Sequence, residues 1–222
     1  MQIKSSHRRW LLPVIGMLTI TPLTPWLDMA IAQYYYDPVK ETFSHHPFYQ
    51  FMFYYGLVPA LATLAGATLL LAFSWHPRWK RWRVPARAFI FTLTLGAGLV
   101  THAILKDHWG RPRPRQITEF GGKYSFRPFY YPNFSPGSEP RRSFPCGHCT
   151  MGFTFFSIAL IGQRRRNKIL TYSGFTLAFA LGTTLGIARL AQGGHFFSDV
   201  LIGALIMWLT ALVIDWAVHP GS

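Results

Sequence analysis

Residues 48–75 read Phe48-Tyr49-Gln50-Phe51-Met52-Phe53-Tyr54-Tyr55-Gly56-Leu57-Val58-Pro59-Ala60-Leu61-Ala62-Thr63-Leu64-Ala65-Gly66-Ala67-Thr68-Leu69-Leu70-Leu71-Ala72-Phe73-Ser74-Trp75, 28 positions without one charged side chain. A helix needs about 20 apolar residues to cross the hydrocarbon core of a bilayer, so this stretch is a membrane span. Outward from it, residues 10–27, 88–105, 148–163, 169–188 and 195–216 have the same character. They predict an all-α bundle of six membrane-spanning helices, with all 222 residues in a single domain. The fourth span is short unless its polar start, through His148, lies at the membrane surface. The sixth carries His195 and Asp199 in its first turns, which is costly in lipid and therefore a functional signal. Gly182 and Gly186, four apart, would admit a neighbouring helix, although chance spacing in a glycine-rich chain is the simpler reading.

Composition agrees with the spans. Half of the residues are hydrophobic and 14% are charged, against about a quarter charged in a soluble domain. The net charge of +14 raises nucleic acid as a partner, but a soluble basic domain would not interleave its bases with apolar runs. Phosphate-bearing lipids fit that balance better. The expected partners are the bilayer and a membrane phospholipid or glycolipid substrate, with no nucleic acid and no obligate protein partner. Two cysteines, Cys146 and Cys149, cannot form a disulfide framework.

Short loops set the orientation. Lys4, Arg8 and Arg9 precede the first span. Arg78, Lys80, Arg81, Arg83 and Arg87 lie between the second and third, and Arg164, Arg165, Arg166 and Lys168 between the fourth and fifth. These connections go to the cytoplasm with both termini. Asp28, Asp37 and Glu41 fall to the first outer loop, against only Lys40. Ala30-Ile31-Ala32 resembles a signal-peptide cleavage site, but the uncharged run before it is long for that, so retention of the span is the expectation. The connection from Lys106 to Pro145 belongs outside yet carries eight bases, which therefore need another task.

Alternation of six spans brings the end of the third, the start of the fourth, the end of the fifth and the start of the sixth to the outer side. Lys106 and Arg113, His148, Arg189, and His195 with Asp199 stand at those four places. Singly, each is an ordinary snorkelling or interfacial residue; six converging at one depth are a site. Three cations suit a phosphate dianion, and arginine's planar fork matches its oxygens. His195 and Asp199, four apart, share a helix face, so the carboxylate can hold one imidazole nitrogen protonated while the other attacks phosphorus. His148, beside Gly147, can protonate the departing oxygen. Such a set completes phosphoryl transfer with no metal and no cofactor.

Three segments resemble the motifs of the type 2 phosphatidic acid phosphatase superfamily. Lys106-Asp107-His108-Trp109-Gly110-Arg111-Pro112-Arg113-Pro114 is similar to the first, a lysine, six residues, then Arg-Pro. Pro145-Cys146-Gly147-His148 resembles the second, Pro-Ser-Gly-His. Arg189, five residues, His195, three residues and Asp199 match the third. The resemblance implies that His195 forms a phosphohistidine helped by Asp199, that His148 is the acid, and that Lys106, Arg113 and Arg189 bind phosphate without metal. Soluble haloperoxidases of the family bind vanadate with the same residues but lack six spans. Two positions depart from the pattern: Ala188 precedes Arg189 where serine is usual, and Cys146 replaces the serine expected to hydrogen-bond phosphate. A thiol is the weaker donor.

Cys146-Gly147-His148-Cys149 also reads as a Cys-x-x-Cys redox motif, whose first thiol a helix N-terminus would activate. A membrane thiol–disulfide oxidoreductase is thus the rival of a different class, although its βαβ setting is missing and it leaves Lys106, Arg113, Arg189, His195 and Asp199 without a task. A transporter would want charges at mid-membrane depth, where only His102 stands, one turn before Lys106; it reads as support for the site or as a polar bundle contact. Zinc held by His102, His108, His148 and His195 lacks close ligand spacing. The aromatic and proline-rich residues 126–134 suit an interfacial rim over the site. Arg141 and Arg142, just before the second motif, are candidates for a second anion contact, which favours substrates with several phosphates. By resemblance to bacterial inner-membrane members with a periplasmic site, these are lipid A and undecaprenyl diphosphate, with phosphatidylglycerol phosphate and phosphatidic acid as further candidates. Transfer of the phosphate to another lipid remains an alternative to hydrolysis.

Overall fold

The computed structural model describes residues 3–134 and 140–219, and for residues 3–7 the backbone alone. The side chain of Lys4, the stretch 135–139 of the long loop and the last three residues therefore lie outside the described residues. The chain is mostly helical. Among the described residues, five helical segments are long and apolar enough to cross a membrane: Arg8–Tyr35, Pro47–Trp75, Lys80–Lys106, Lys168–Ala191 and Phe197–Val218. Their constituent α-helices are α1 (Ile3–Ile20), α2 (Thr24–Tyr35), α3 (Pro47–Tyr55), α4 (Val58–Ala72), α5 (Arg83–Phe91), α8 (Lys168–Ala191) and α9 (Phe197–Val218). Of these, α8 is unbroken over 24 residues.

The stretch expected as the fourth span is instead two short helices, α6 (Gly147–Phe153) and α7 (Phe156–Arg164). Hydroxyls crowd the break: Thr150 Oγ1 donates to the Gly147 carbonyl at 2.7 Å and Ser157 Oγ to the Thr154 carbonyl at 2.8 Å. Such back-bonding competes with the helical ladder. The third span continues from α5 as a π-wound segment, Thr92–Lys106. His102 Nδ1 there lies 2.6 Å from the carbonyl oxygen of Ala97, five residues back. Wide turns of this kind gather at functional positions, and this one ends at Lys106.

Packing makes use of the missing side chains of glycine. A Cβ on Gly152 would sit 2.4 Å from the backbone nitrogen of Gly182, so α6 and α8 touch backbone to backbone. Gly182 makes room for Phe153 of α6 and Gly186 for Val200 of α9, so the two glycines admit two different helices. α9 runs through the middle of the bundle against α2, α5, α6, α7 and the π-wound segment, with Met207 and Ala211 fully enclosed. Leu11, Leu18, Leu61, Leu69 and Phe179 are exposed, as expected where lipid is the solvent.

Two ends finish the bundle. At one, Arg165 donates to the Arg81 carbonyl at 2.6 Å and lies 4.5 Å over the Trp82 ring, so the two basic connections meet; Arg164 pairs with Asp215 at 3.0 Å. At the other, a short hairpin of β1 (Tyr36–Asp37) and β2 (Thr42–Phe43) follows α2. It is fastened to the turn after α8: Ser44 N donates to the Ala191 carbonyl at 2.9 Å. Gly193 has φ +60, and a Cβ there would strike the Phe43 ring at 2.4 Å.

Candidate active site

The hairpin end holds a cavity of about 620 Å³. Lys106, Arg113, His148, Arg189 and His195, from four separate segments, all line it. Five of the six side chains that were expected at one depth are brought together there, while Asp199 lies outside the lining. No acidic residue lines the cavity among the described residues.

Glycines let the cations in. A Cβ on Gly194 would meet the Arg189 guanidinium at 2.2 Å, and one on Gly147 would meet His102 at 2.6 Å and Lys106 Nζ at 3.2 Å. Arg189 Nη1 donates to Gln192 Oε1 at 2.6 Å, and its guanidinium lies 4.7 Å from the centre of the Phe53 ring. The same ring stacks on His148, 4.8 Å centre to centre and 16° from parallel. One phenylalanine from α3 thus seats an arginine and an imidazole together. It stands in a long apolar run, and nothing in its sequence neighbours singled it out.

His195 stands in the turn before α9 rather than in the helix, and is 2% exposed. Its Nδ1 is 3.6 Å from Asp199 Oδ2, just beyond hydrogen-bond reach, and finds no partner in the protein. Burial pushes this imidazole down to about 3, against the pull of the Asp199 carboxylate, so it is neutral and keeps a lone pair at physiological pH. Arg113 Nε and Arg189 Nε are also buried and unpartnered. Burial, with Arg115 and Arg142 nearby, holds the Arg113 guanidinium below its usual range. Crowded cations with unspent donors are what an anion relieves.

Behind His195 lies a network that the sequence reading missed. Asp199 Oδ2 accepts from Ser143 Oγ at 2.6 Å and from Phe196 N at 2.8 Å, the latter as a capping acid at the start of α9. Asp199 Oδ1 accepts from Arg111 Nη1 at 2.5 Å. Arg111 also donates through Nη1 to Ser198 Oγ at 2.8 Å, through Nη2 to Asp28 Oδ2 at 2.7 Å, and through Nε to the Arg127 carbonyl at 2.8 Å. Its guanidinium stacks 4.5 Å from the Phe196 ring. Ser198 closes the set on Asp28 through N at 2.8 Å and Oγ at 2.7 Å. Asp28 is thus buried in α2 and ion-paired, not an acid of the first outer loop. The same pairing makes the stretch at Ala30-Ile31-Ala32 part of a packed helix, with Ala32 buried. The available signal was a carboxylate inside an otherwise apolar span, which calls for a buried partner.

Other expectations are corrected. Arg141 and Arg142 do not line the cavity: Arg141 lies 5.3 Å over the Tyr124 ring, and Arg142 Nε pairs with Asp107 at 3.1 Å. Arg115, which was not singled out, lines it instead. Cys146 and Gly147 lie behind the lining, with Cys146 fully buried. Residues 126–134 do not line the cavity: Phe126 packs on Phe196 at 5.2 Å under the Arg111 guanidinium and Phe129 on Phe144 at 5.9 Å, while Tyr130, Tyr131 and Phe134 stay exposed. Both cysteines are free, and Cys149 Sγ is 3.0 Å from the Cys146 carbonyl oxygen. The hairpin is the only sheet among the described residues, so no thioredoxin-like setting surrounds them. Among the described residues no three His, Cys, Asp or Glu side chains converge as a metal site would require, so the four-histidine arrangement is not assembled.

Membrane-length helices delivering cations and histidines to one anion-ready cavity define a class: an enzyme of phosphate chemistry seated in a bilayer. The chain belongs to the PAP2 superfamily, which it matches over residues 86–220. It is 30% identical over 194 residues to a lipid A 4′-phosphatase of Francisella tularensis subsp. novicida, a match covering 86% of this chain and 85% of that one. It is 32% identical over 128 residues to a lipid A 4′-phosphatase of Rhizobium leguminosarum, covering 55% of this chain and 48% of that protein. A lipid A 1-phosphatase of Rhizobium etli is 34% identical over 131 residues, covering 57% and 49%. The chain thus spans about half the length of the two Rhizobium relatives. It is a lipid phosphatase of the PAP2 type. No solved structure matches it at a significant level.

Proposed function

We propose that this chain removes a phosphate monoester from the sugar head of a lipid A-type glycolipid, without a metal, through a phosphohistidine on His195. The observation that carries this reading is the cavity in which Lys106, Arg113, Arg189, His148 and His195 meet, three of them with a buried nitrogen that has no protein partner. Nδ1 of His195 faces Asp199, which leaves Nε2 to attack phosphorus. The N–P bond forms as the ester P–O bond breaks, and His148 gives a proton to the departing oxygen. Water then attacks phosphorus and yields its proton to His148, the N–P bond breaks, and inorganic phosphate leaves. Asp199 stabilises the imidazolium that develops, and the three cations hold the phosphoryl oxygens throughout. The choice of lipid A rests on the names of the relatives.

The whole chain acts as one domain with six crossings, α6 and α7 (Gly147–Phe153 and Phe156–Arg164) together making the fourth. In a bacterial inner membrane the cavity end faces the periplasm and both termini the cytoplasm. In support, both basic connections gather at the end away from the cavity, as the positive-inside rule requires.

The test is phosphate release by the purified chain in detergent with excess EDTA, from lipid A, undecaprenyl diphosphate, phosphatidylglycerol phosphate and phosphatidic acid. Release from lipid A is expected, with an acid-labile phosphoenzyme that His195→Ala does not form. No release from lipid A, or activity lost in EDTA and restored by one metal, would sink the reading. Phosphate appearing on an added acceptor lipid, with none in solution, would replace hydrolysis by transfer.

A further inference from the structure

The cavity has two walls of different origin. The reactive wall, with Lys106, His148, Arg189 and His195, belongs to the region shared across the family, residues 86–220. The facing wall comes from residues 42–54, outside that region, and offers Thr42, Ser44, His45, Gln50 and Tyr54. Arg115 stands where the two meet. The volume of about 620 Å³ is in the range that encloses ligands of several hundred daltons, far more than a phosphate needs.

The facing wall is built rather than loose. Ser44 N is tied to the Ala191 carbonyl. Phe43 is wedged on Gly193 and packs edge-on to Phe120, 5.3 Å between ring centres. Thr42 Oγ1 lies 3.3 Å from His45 Nε2, and Gln50 Nε2 donates to the His45 carbonyl at 3.0 Å. These side chains offer neutral donors and acceptors beside an aromatic face, a surface suited to a head rich in hydroxyls. Arg115 is not needed for the scissile phosphate, which already has three cations. Its backbone nitrogen is held by the Gly193 carbonyl at 3.3 Å, and its exposed guanidinium remains at the cavity edge.

We infer that the wall of residues 42–54 with Arg115 is a head-group subsite, reading a sugar that carries a second anionic group beside the phosphate to be removed. It rests on the lipid-phosphatase reading of the reactive wall, and it makes the enzyme select phosphorylated glycolipids over simple phosphoglycerides. Gln50 reads the sugar; Arg115 reads the second anion.

The experiment compares wild type, Gln50→Ala and Arg115→Ala on three lipids: a bisphosphorylated disaccharide lipid, its monophosphorylated form, and phosphatidic acid. The readout is the kcat/KM ratio of each glycolipid to phosphatidic acid. Arg115→Ala should lower the ratio for the bisphosphorylated lipid about tenfold or more, the scale of one hydrogen bond to a charged group, and leave that for the monophosphorylated lipid near the wild-type value. Gln50→Ala should lower both ratios severalfold. Ratios that do not move, with active enzyme, would overturn the subsite and leave the phosphatase intact. Wild type inert on all three lipids would overturn the phosphatase reading and the subsite with it. Both residues are exposed, so loss of fold does not confound the comparison.

Discussion

Arg111 and Arg113 are two residues apart, and they open onto two different regions. Behind His195, Arg111, Asp28, Ser143, Ser198 and Asp199 are buried and bonded to one another, with the Arg127 carbonyl and Phe196 N as further partners. In front of His195, Arg113 Nε and Arg189 Nε are buried and satisfied by nothing in the protein. A buried donor without a partner costs about 1–3 kcal/mol, so the front carries a cost that the back does not. The contrast separates two jobs of charge in one structure: the back holds shape, and the front waits for an anion. His195 sits on the boundary, with its Nδ1 turned to the back.

The comparison breaks most severely if the back is opened. Arg111→Ala leaves Asp28 and Asp199 as unpaired buried carboxylates, and breaking a buried pair costs about 3–5 kcal/mol. Both folding and activity should fail, seen as poor accumulation in the membrane and a lowered Tm of whatever is purified. A stable, active Arg111→Ala enzyme would show that the network is dispensable.

Changes at the boundary should separate chemistry from fold. His195→Ala should abolish turnover with an unshifted Tm, because no other nitrogen replaces the attacking one; near-normal phosphate release would remove His195 as nucleophile. Asp199→Asn should reduce kcat by at least about a hundredfold through lost control of the imidazole tautomer, and because Asp199 also belongs to the back, its Tm should fall as well. A fall in Tm without a fall in rate would confine Asp199 to scaffolding.

Phe53 sharpens the contrast from the front. Its ring seats His148 and Arg189 at once, and aromatic contacts of this sort contribute about 0.5–1.5 kcal/mol each. Phe53→Leu should slow kcat roughly three- to thirtyfold, and Phe53→Tyr should restore most of it. Equal rates for the three side chains would reduce Phe53 to filling.

The smallest effect is expected at the cysteines. Cys146→Ser together with Cys149→Ala should keep phosphatase activity within about threefold, since Cys146 is buried behind the lining and the Cys149 thiol bonds only a local carbonyl. Lost phosphatase activity, or thiol–disulfide exchange by the wild type, would bring the redox rival back.

The sequence made the front legible and hid the back, for a physical reason. Lys106, Arg113, His148, Arg189 and His195 lie at ends of apolar runs, and alternation of spans alone brings those ends together. Arg111 and Asp28 are 83 residues apart, and each had a nearer explanation, one as one of eight bases in a long outer loop and the other as an outer-loop acid. The break between α6 and α7 was also hidden, because hydroxyl back-bonding leaves the run apolar. The wall of residues 42–54 was not readable, since neutral hydrogen-bonding side chains announce nothing until a cavity forms around them. Arg141 and Arg142 misled for the converse reason: a place just before the second motif did not carry their side chains onto the cavity lining, although Arg142 stays near Arg113.

Asp28 and Ser198, 170 residues apart, also fix the order in which the enzyme can be born. During synthesis Asp28 enters the bilayer with the first span, long before Ser198 and the last helix exist, and an unpaired carboxylate there is costly. Arg111 gives it a first partner midway, and α9 supplies the rest. His195 and Asp199 arrive on that same final segment, so a chain halted anywhere earlier lacks the proposed nucleophile and its carboxylate. Completion of the last helix is thus the step that closes the buried network of Asp28, Arg111, Ser198 and Asp199.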